Sequence, residues 1–173
     1  MTQSLAAHAA RLLVLIHLAG RPQTKGKWPA IQGRTLLAKL DFFVRYPEYL
    51  RRAAASLGYM RTAELETVPT VESRMVRFRY GPWDHDYYPT LAYMIGKNLI
   101  DVVIDGGTES FRLTERGRAV ADELIQLDEF AEMASRARVA YHLFNRYSGN
   151  RLKQFIYDEF PEVVARPIGE EIG

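Results

Sequence analysis

Asp84, His85 and Asp86 stand side by side within "RYGPWDHDYYPTLAYMIGKNLI", residues 79–100, and form the one cluster in the chain that looks like metal ligands. A metal site needs three or four donors converging on one point. Neighbouring side chains on one segment point apart. The other histidines, His8, His17 and His142, fall in helix-like segments without ligand spacing. The triplet therefore reads as solvated turn residues. Glu64 and Glu66 are equally undistinguished. The chain has no cysteine, which excludes disulfides, thiolate zinc sites, iron–sulfur clusters and cysteine nucleophiles. It also lacks a glycine-rich phosphate loop, an H-E-x-x-H pair and a G-x-S-x-G elbow. The expectation is a non-enzyme, without catalytic, cofactor-binding or metal-binding residues.

The residues left for function are cations and aromatics. Residues 1–60 hold nine Lys/Arg against two Asp/Glu, while residues 61–110 and 111–173 are net acidic, within a chain of net charge +2. A basic third of this kind suits phosphate or an acidic partner, or is a solvated helical surface. If DNA or phosphate is touched, Arg51, Arg52, Arg77 and Arg79 are the candidates; otherwise they lie on exposed helix and strand faces. Tyr80, Trp83, Tyr87 and Tyr88 cluster in "YGPWDHDYYP". Tyr80 and Tyr88 are assigned to core packing. Trp83 and Tyr87, on the turn, are the candidates for a partner interface, where Trp and Tyr are favoured.

These residues need a scaffold, and the sequence outlines one. The chain has 173 residues, 47% hydrophobic and 25% charged, an ordinary globular composition for one domain. Leu5, Ala9, Leu12, Leu13 and Ile16 set a first helix over 5–19. Its apolar run from Leu12 to Ala19 is interrupted by His17 and lacks a small-residue cleavage pattern, so it reads as a helix rather than a leader. It is also too short to span a membrane. Residues 21–33 read as a loop. "GRTLLAKLDFFVRYP" gives a second helix, broken before Pro47. Pro47 then opens a third helix, closed by Gly58. Residues 61–70 are a short helix or a loop.

"VESRMVRFRY" alternates as a half-buried strand and Gly81-Pro82 turns it. Tyr88, Leu91, Ala92, Ile95 and Leu99 keep a helical period. Ile100–Ile104 and Phe111–Leu113 form a hairpin, whose positive-φ turn is supplied by Asp105-Gly106-Gly107. Thr114 is a natural N-cap for a long helix through Val120, Leu124, Leu127, Ala131 and Ala134. Ser148 caps a last helix stopped by Pro161. The expected fold is mainly α: a winged helix-turn-helix core with a short β-hairpin wing and flanking helices. Residues 1–165 form one domain and 166–173 a flexible tail.

A DNA-reading helix sets its first residues against base edges and brings Lys or Arg to phosphates. Here that end is Asp84 to Tyr88, and Lys97 is the one nearby cation. The wing tip is flanked by Asp105 and Glu109. Both usual DNA-contact elements are neutral or acidic, so this unit reads as a protein-binding or dimerising module. The blocks "GRTLLAKLDFFVRYP", "RYGPWDHDYYPTLAYMIGKNLI", "FRLTERGRAVADEL" and "SGNRLKQFIYDEFPEV" together resemble, over roughly residues 5–165, a group of bacterial winged-helix proteins. That group is the small middle component of ABC-three-component systems, which includes the accessory subunit of Lamassu-type antiviral systems. The resemblance implies a cytoplasmic, non-catalytic subunit that docks on an SMC- or ABC-like ATPase in antiphage defence. It implies that an effector subunit holds the killing activity and that DNA is met through the complex. The alternative expectation is a dimeric winged-helix transcriptional regulator. No membrane partner is expected on either reading.

Overall fold

The computed structural model describes residues 4–23, 28–61, 65, 75–78 and 81–172, and of residues 76–78 and 105 the backbone alone. The fold is mainly helical. Eight helices are described: α1 (Leu5–Ala19), α2 (Arg34–Arg45), α3 (Pro47–Ser56), α4 (Tyr87–Gly96), α5 (Glu115–Leu124), α6 (Ala131–Phe144), α7 (Gly149–Glu159) and α8 (Pro161–Ala165). Six short strands accompany them: β1 (Ala30–Gln32), β2 (Met75–Phe78), β3 (Gly81–Trp83), β4 (Ile100–Asp105), β5 (Thr108–Leu113) and β6 (Glu171–Ile172). They form two antiparallel three-stranded sheets, ordered β1-β5-β4 and β3-β2-β6.

Local chemistry sets most helix starts. Ser4, Thr114 and Ser148 each accept a backbone N–H in the first turn of α1, α5 and α7, at 3.2, 2.9 and 3.1 Å, satisfying donors that a helix start leaves orphaned. Pro47 and Pro161 occupy first-turn positions of α3 and α8. Gly106 and Gly107 turn the β4–β5 hairpin at φ 56° and 81°, angles that a Cβ disfavours.

The core is built around α1 and α2. Leu12, Val14, Leu15 and Ile16 of α1 and Phe42 and Phe43 of α2 are fully buried. Phe43 stacks on Phe144 of α6 at 4.8 Å and meets Phe160 edge-on at 6.1 Å, geometries that aromatic quadrupoles favour. Gly117 lets α5 lie directly on the end of α4. A Cβ there would stand 1.8 Å from the Leu99 carbonyl oxygen. Gly117→Ala should therefore destabilise the fold by about 1–3 kcal/mol, although Ala is the better helix former by about 1 kcal/mol. Urea unfolding checks the sign.

Several sequence expectations need correction. Residues 21–33 are not wholly loop, because Ala30–Gln32 pairs with β5 in register Ile31↔Phe111. The third strand beside the hairpin is therefore β1. β2 belongs to the other sheet, and Gly81-Pro82 lies in β3 rather than in the turn. The long helix after Thr114 is two helices separated by a 3-10 turn at Asp128–Phe130. The apolar period runs across that break because α5 and α6 both pack on α1. The tail is not free either. Ile172 is fully buried and β6 pairs with β2. The Tyr46 hydroxyl donates to the Ile172 carbonyl (2.7 Å) and accepts from the Met75 N–H (2.9 Å). A two-residue strand is too short to show a period.

Candidate functional site

The helix α4 carries no charged residue between Tyr87 and Gly96. Its inner face, Tyr87, Thr90, Leu91 and Met94, is buried. The outer face presents Tyr88 (55% exposed), Ala92 and Ile95 (47% exposed) at the i, i+4, i+7 spacing of one helical stripe. The hairpin that follows adds Val102 and Ile104, the latter 64% exposed. Alternation along β4 puts both on the face of the buried Ile100. Among the described residues β4 pairs only with β5, so its outer edge offers backbone donors and acceptors as well. Arg34, at the start of α2, ties this surface together. Its guanidinium donates to the Tyr88 hydroxyl (3.0 Å), lies 5.4 Å from the Tyr88 ring centre and pairs with Glu109 of β5 at 3.0 Å.

A buried ionic network fixes α4 from beneath. Asp41 of α2 is completely buried. It accepts from Arg11 Nε (2.8 Å), Arg11 Nη2 (3.2 Å) and the Tyr87 hydroxyl (2.7 Å). Arg45 Nη1 lies 3.5 Å from Asp41 and 2.6 Å from Asp84. Burial alone would raise the Asp41 pKa, but the charges of Arg11 and Arg45 and the bonds from Arg11 and Tyr87 outweigh it and hold the carboxyl below its ordinary value. Burial, reinforced by the Asp41 charge, pushes the Tyr87 phenol well above its ordinary value. Burial, and after it the Arg11 charge, lowers the His8 imidazole below its ordinary value. Its Nδ1 lies 3.1 Å from Arg11 Nη1, while its Nε2 is 3.6 Å from Asp86, a distance too long for a hydrogen bond.

This network explains the aspartates before α4. Asp84 is not a solvated turn residue: it is the counter-ion of buried Arg45 and accepts the Asp86 N–H at 2.9 Å. Among the described residues no three His, Asp or Glu side chains converge as a metal site requires.

The interface candidates also change places. Tyr87 is 3% exposed and bonded to Asp41, so it is a core residue. Tyr88, assigned to the core from sequence, is the exposed one. Trp83 is half-buried, with its ring 5.1 Å from Tyr87 and 5.9 Å from Tyr88. Sequence reasoning passed over Ile95, Val102 and Ile104. Their signal was the missing charge on the outer stripe.

Arg51 and Arg52, two of the candidates for phosphate contact, both have acidic partners. Arg51 pairs with Glu48 at 2.7 Å, and Arg52 pairs with Glu162 and lies over the Phe160 ring. Arg77 lies in β2 opposite Pro82 by backbone register. Arg79 falls outside the described residues. Part of the basic N-terminal third is not surface charge at all, because Arg11, Lys39 and Arg45 are buried.

A second feature is a cleft of about 810 Å³ behind the hairpin tip, lined in part by Arg21, Arg34, Thr108, Arg146, Ser148 and Asn150. Among the described residues no helix is long and apolar enough to cross a membrane. A scan of protein-family models, a search of curated proteins and a search of solved structures each found no match.

Proposed function

We propose that the chain is a winged-helix accessory subunit, without catalytic activity of its own, of a bacterial SMC- or ABC-type ATPase complex in antiphage defence. The order α1-β1-α2-α4-β4-β5, with β1 against β5 and with α3, β2 and β3 between α2 and α4, supports the winged-helix part of this reading. On this reading α3, β2 and β3 are inserted between the two helices of the helix-turn-helix. The observation that carries the reading is the uncharged, partly apolar face of α4 and β4. A DNA reader needs Lys or Arg there, whereas exposed apolar stripes mark protein docking surfaces. The block resemblance in the sequence supplies the partner class, and the effector activity then resides in another subunit of the complex.

The test is affinity purification of the tagged chain together with the neighbouring operon products. A large coiled-coil ATPase at a fixed ratio is the expected result. The double variant Ile95→Asp/Ile104→Lys, which alters only exposed positions, should cut ATPase recovery by about 100-fold, as loss of two hot spots of about 1.4 kcal/mol each would. Absence of the ATPase overturns the reading. Nanomolar, sequence-dependent promoter binding by a lone homodimer would replace it with the regulator.

A further inference from the structure

The cleft behind the hairpin tip holds two cations that lack acidic partners among the described residues. Arg21 is half-buried, and its guanidinium donates to the carbonyls of Phe144 (3.3 Å) and Tyr147, at the end of α6. Those bonds fix its direction but do not neutralise it. Burial pushes Arg21 below its ordinary value, opposed only by Tyr141, and no carboxylate contributes. Arg146 is exposed on the same cleft and forms no ion pair or hydrogen bond with the described residues. Arg34 lines the cleft too and is matched by Glu109. Three guanidiniums against one carboxylate leave this wall at net +2 among the described lining residues.

Two helix starts add to the field. α2 begins after Gly33, which has no side chain to cap it, and α7 begins at Gly149. The two abut: a Cβ on Gly149 would stand 3.1 Å from the Leu36 nitrogen. Positive dipole ends normally repel each other and attract an anion between them. The wall is otherwise polar, with Thr108, Ser148 and Asn150 able to donate hydrogen bonds.

We propose that this cleft is a phosphate-binding site, whose two guanidiniums without an acidic partner among the described residues, Arg21 and Arg146, bind phosphoryl oxygens of a ligand carrying at least two negative charges. A single carboxylate would leave the wall charged. A dianionic phosphate or a run of phosphodiesters matches it, and planar guanidinium forks suit such oxygens. Two sources share this chemistry: the polyphosphate of a nucleotide and the backbone of a nucleic acid. The cleft shares Arg34 and Glu109 with the edge of the proposed docking face, but Arg21 and Arg146 belong to neither α4 nor β4, so the site can be tested on the isolated chain whether or not an ATPase docks.

The test titrates the purified full chain with sodium pyrophosphate and with ATP by calorimetry, and with a fluorescent DNA duplex by anisotropy. The variants are Arg146→Gln, Arg21→Gln and the off-site control Arg51→Gln. Arg146 is exposed and holds no described structural bond, so its variant keeps the fold even if Arg21→Gln does not. Saturable binding of at least one probe is expected, weakened about tenfold by Arg146→Gln and unchanged by Arg51→Gln. One-to-one binding of pyrophosphate or ATP assigns the site to a small polyphosphate. Binding of the duplex alone, with a salt slope reduced by about one in Arg146→Gln, assigns it to a nucleic-acid backbone. No saturable binding of any probe overturns the proposal. So does binding that Arg51→Gln weakens as much as Arg146→Gln.

Discussion

Asp41→Ala should cost about 3–5 kcal/mol of folding stability, the usual loss when one partner of a buried ion pair is removed. Arg11 would keep its charge in a site 3% exposed, with its main acceptor gone. The Tyr87 hydroxyl would lose its acceptor as well. Tyr87→Phe removes a single bond and should cost about 1 kcal/mol. The double change Arg11→Met/Asp41→Leu should recover most of the loss, because a well-packed apolar pair can replace a buried ion pair at little cost. Arg45 retains Asp84 in that variant. Urea unfolding at pH 7 distinguishes these outcomes. A double variant as unstable as Asp41→Ala would show that the charges are not the cause.

The pH dependence has a definite sign. The folded-state pKa of Asp41 is depressed. Its contribution is therefore present above the unfolded value near 3.9 and disappears as pH falls through the folded value. Asp41→Ala should flatten the acid limb of the stability profile.

Lys39→Met should act in the opposite direction and stabilise the protein by about 2–3 kcal/mol at pH 6. Lys39 is 1% exposed and its Nζ donates to the Pro82 carbonyl at 3.1 Å. Burial, with a smaller contribution from the Lys153 charge, lowers its ammonium to about 7. Gly81 makes room for it, since a Cβ there would stand 2.9 Å from Lys39 Cε. An unfolded lysine titrates near 10.4. Below pH 7 both states hold the proton and the folded state bears the full penalty, about 4–5 kcal/mol. Between pH 7 and 10.4 the unfolded state holds more protons, so stability rises with pH. Methionine removes the penalty but leaves the Pro82 carbonyl unbonded, which offsets about 1–3 kcal/mol. The gain should therefore vanish by pH 10. An equal gain at pH 6 and pH 10 would refute this account of Lys39.

Together these two residues show how far α2 departs from an ordinary core helix. Every residue from Leu36 to Arg45 is buried, yet three of them are ionisable. Asp41 and Arg45 connect α2 to α1 and to the segment leading into α4, and Lys39 connects it to β3. The α4 face is consequently held by directional bonds, which would suit the docking surface proposed above.

The sequence alone determined what depends on near neighbours. Thr114 and Ser148 cap their helices because their hydroxyls reach an N–H three residues on. Pro47 starts α3 because its ring presets φ and its missing N–H is not needed there. Gly106 and Gly107 turn the hairpin because two consecutive positive φ angles suit glycine. The absence of charge on α4 was readable in the same way, and with it the doubt about base reading.

The tertiary structure decided everything that depends on a distant partner. β1 and β6 exist through pairing with β5 and β2, and three or two residues are too few to show a period. Tyr87 and Tyr88 are adjacent on a helix and point about 100° apart. Only Asp41, 46 residues away, decides which of them is inside. The same holds for the basic N-terminal third. Arg11, Lys39 and Arg45 count as surface charge in any composition, and they are buried because Asp41, Asp84 and the Pro82 carbonyl meet them from elsewhere in the fold. Chain-local chemistry is legible in sequence, whereas the sign and place of a surface depend on which charges the fold pairs inside.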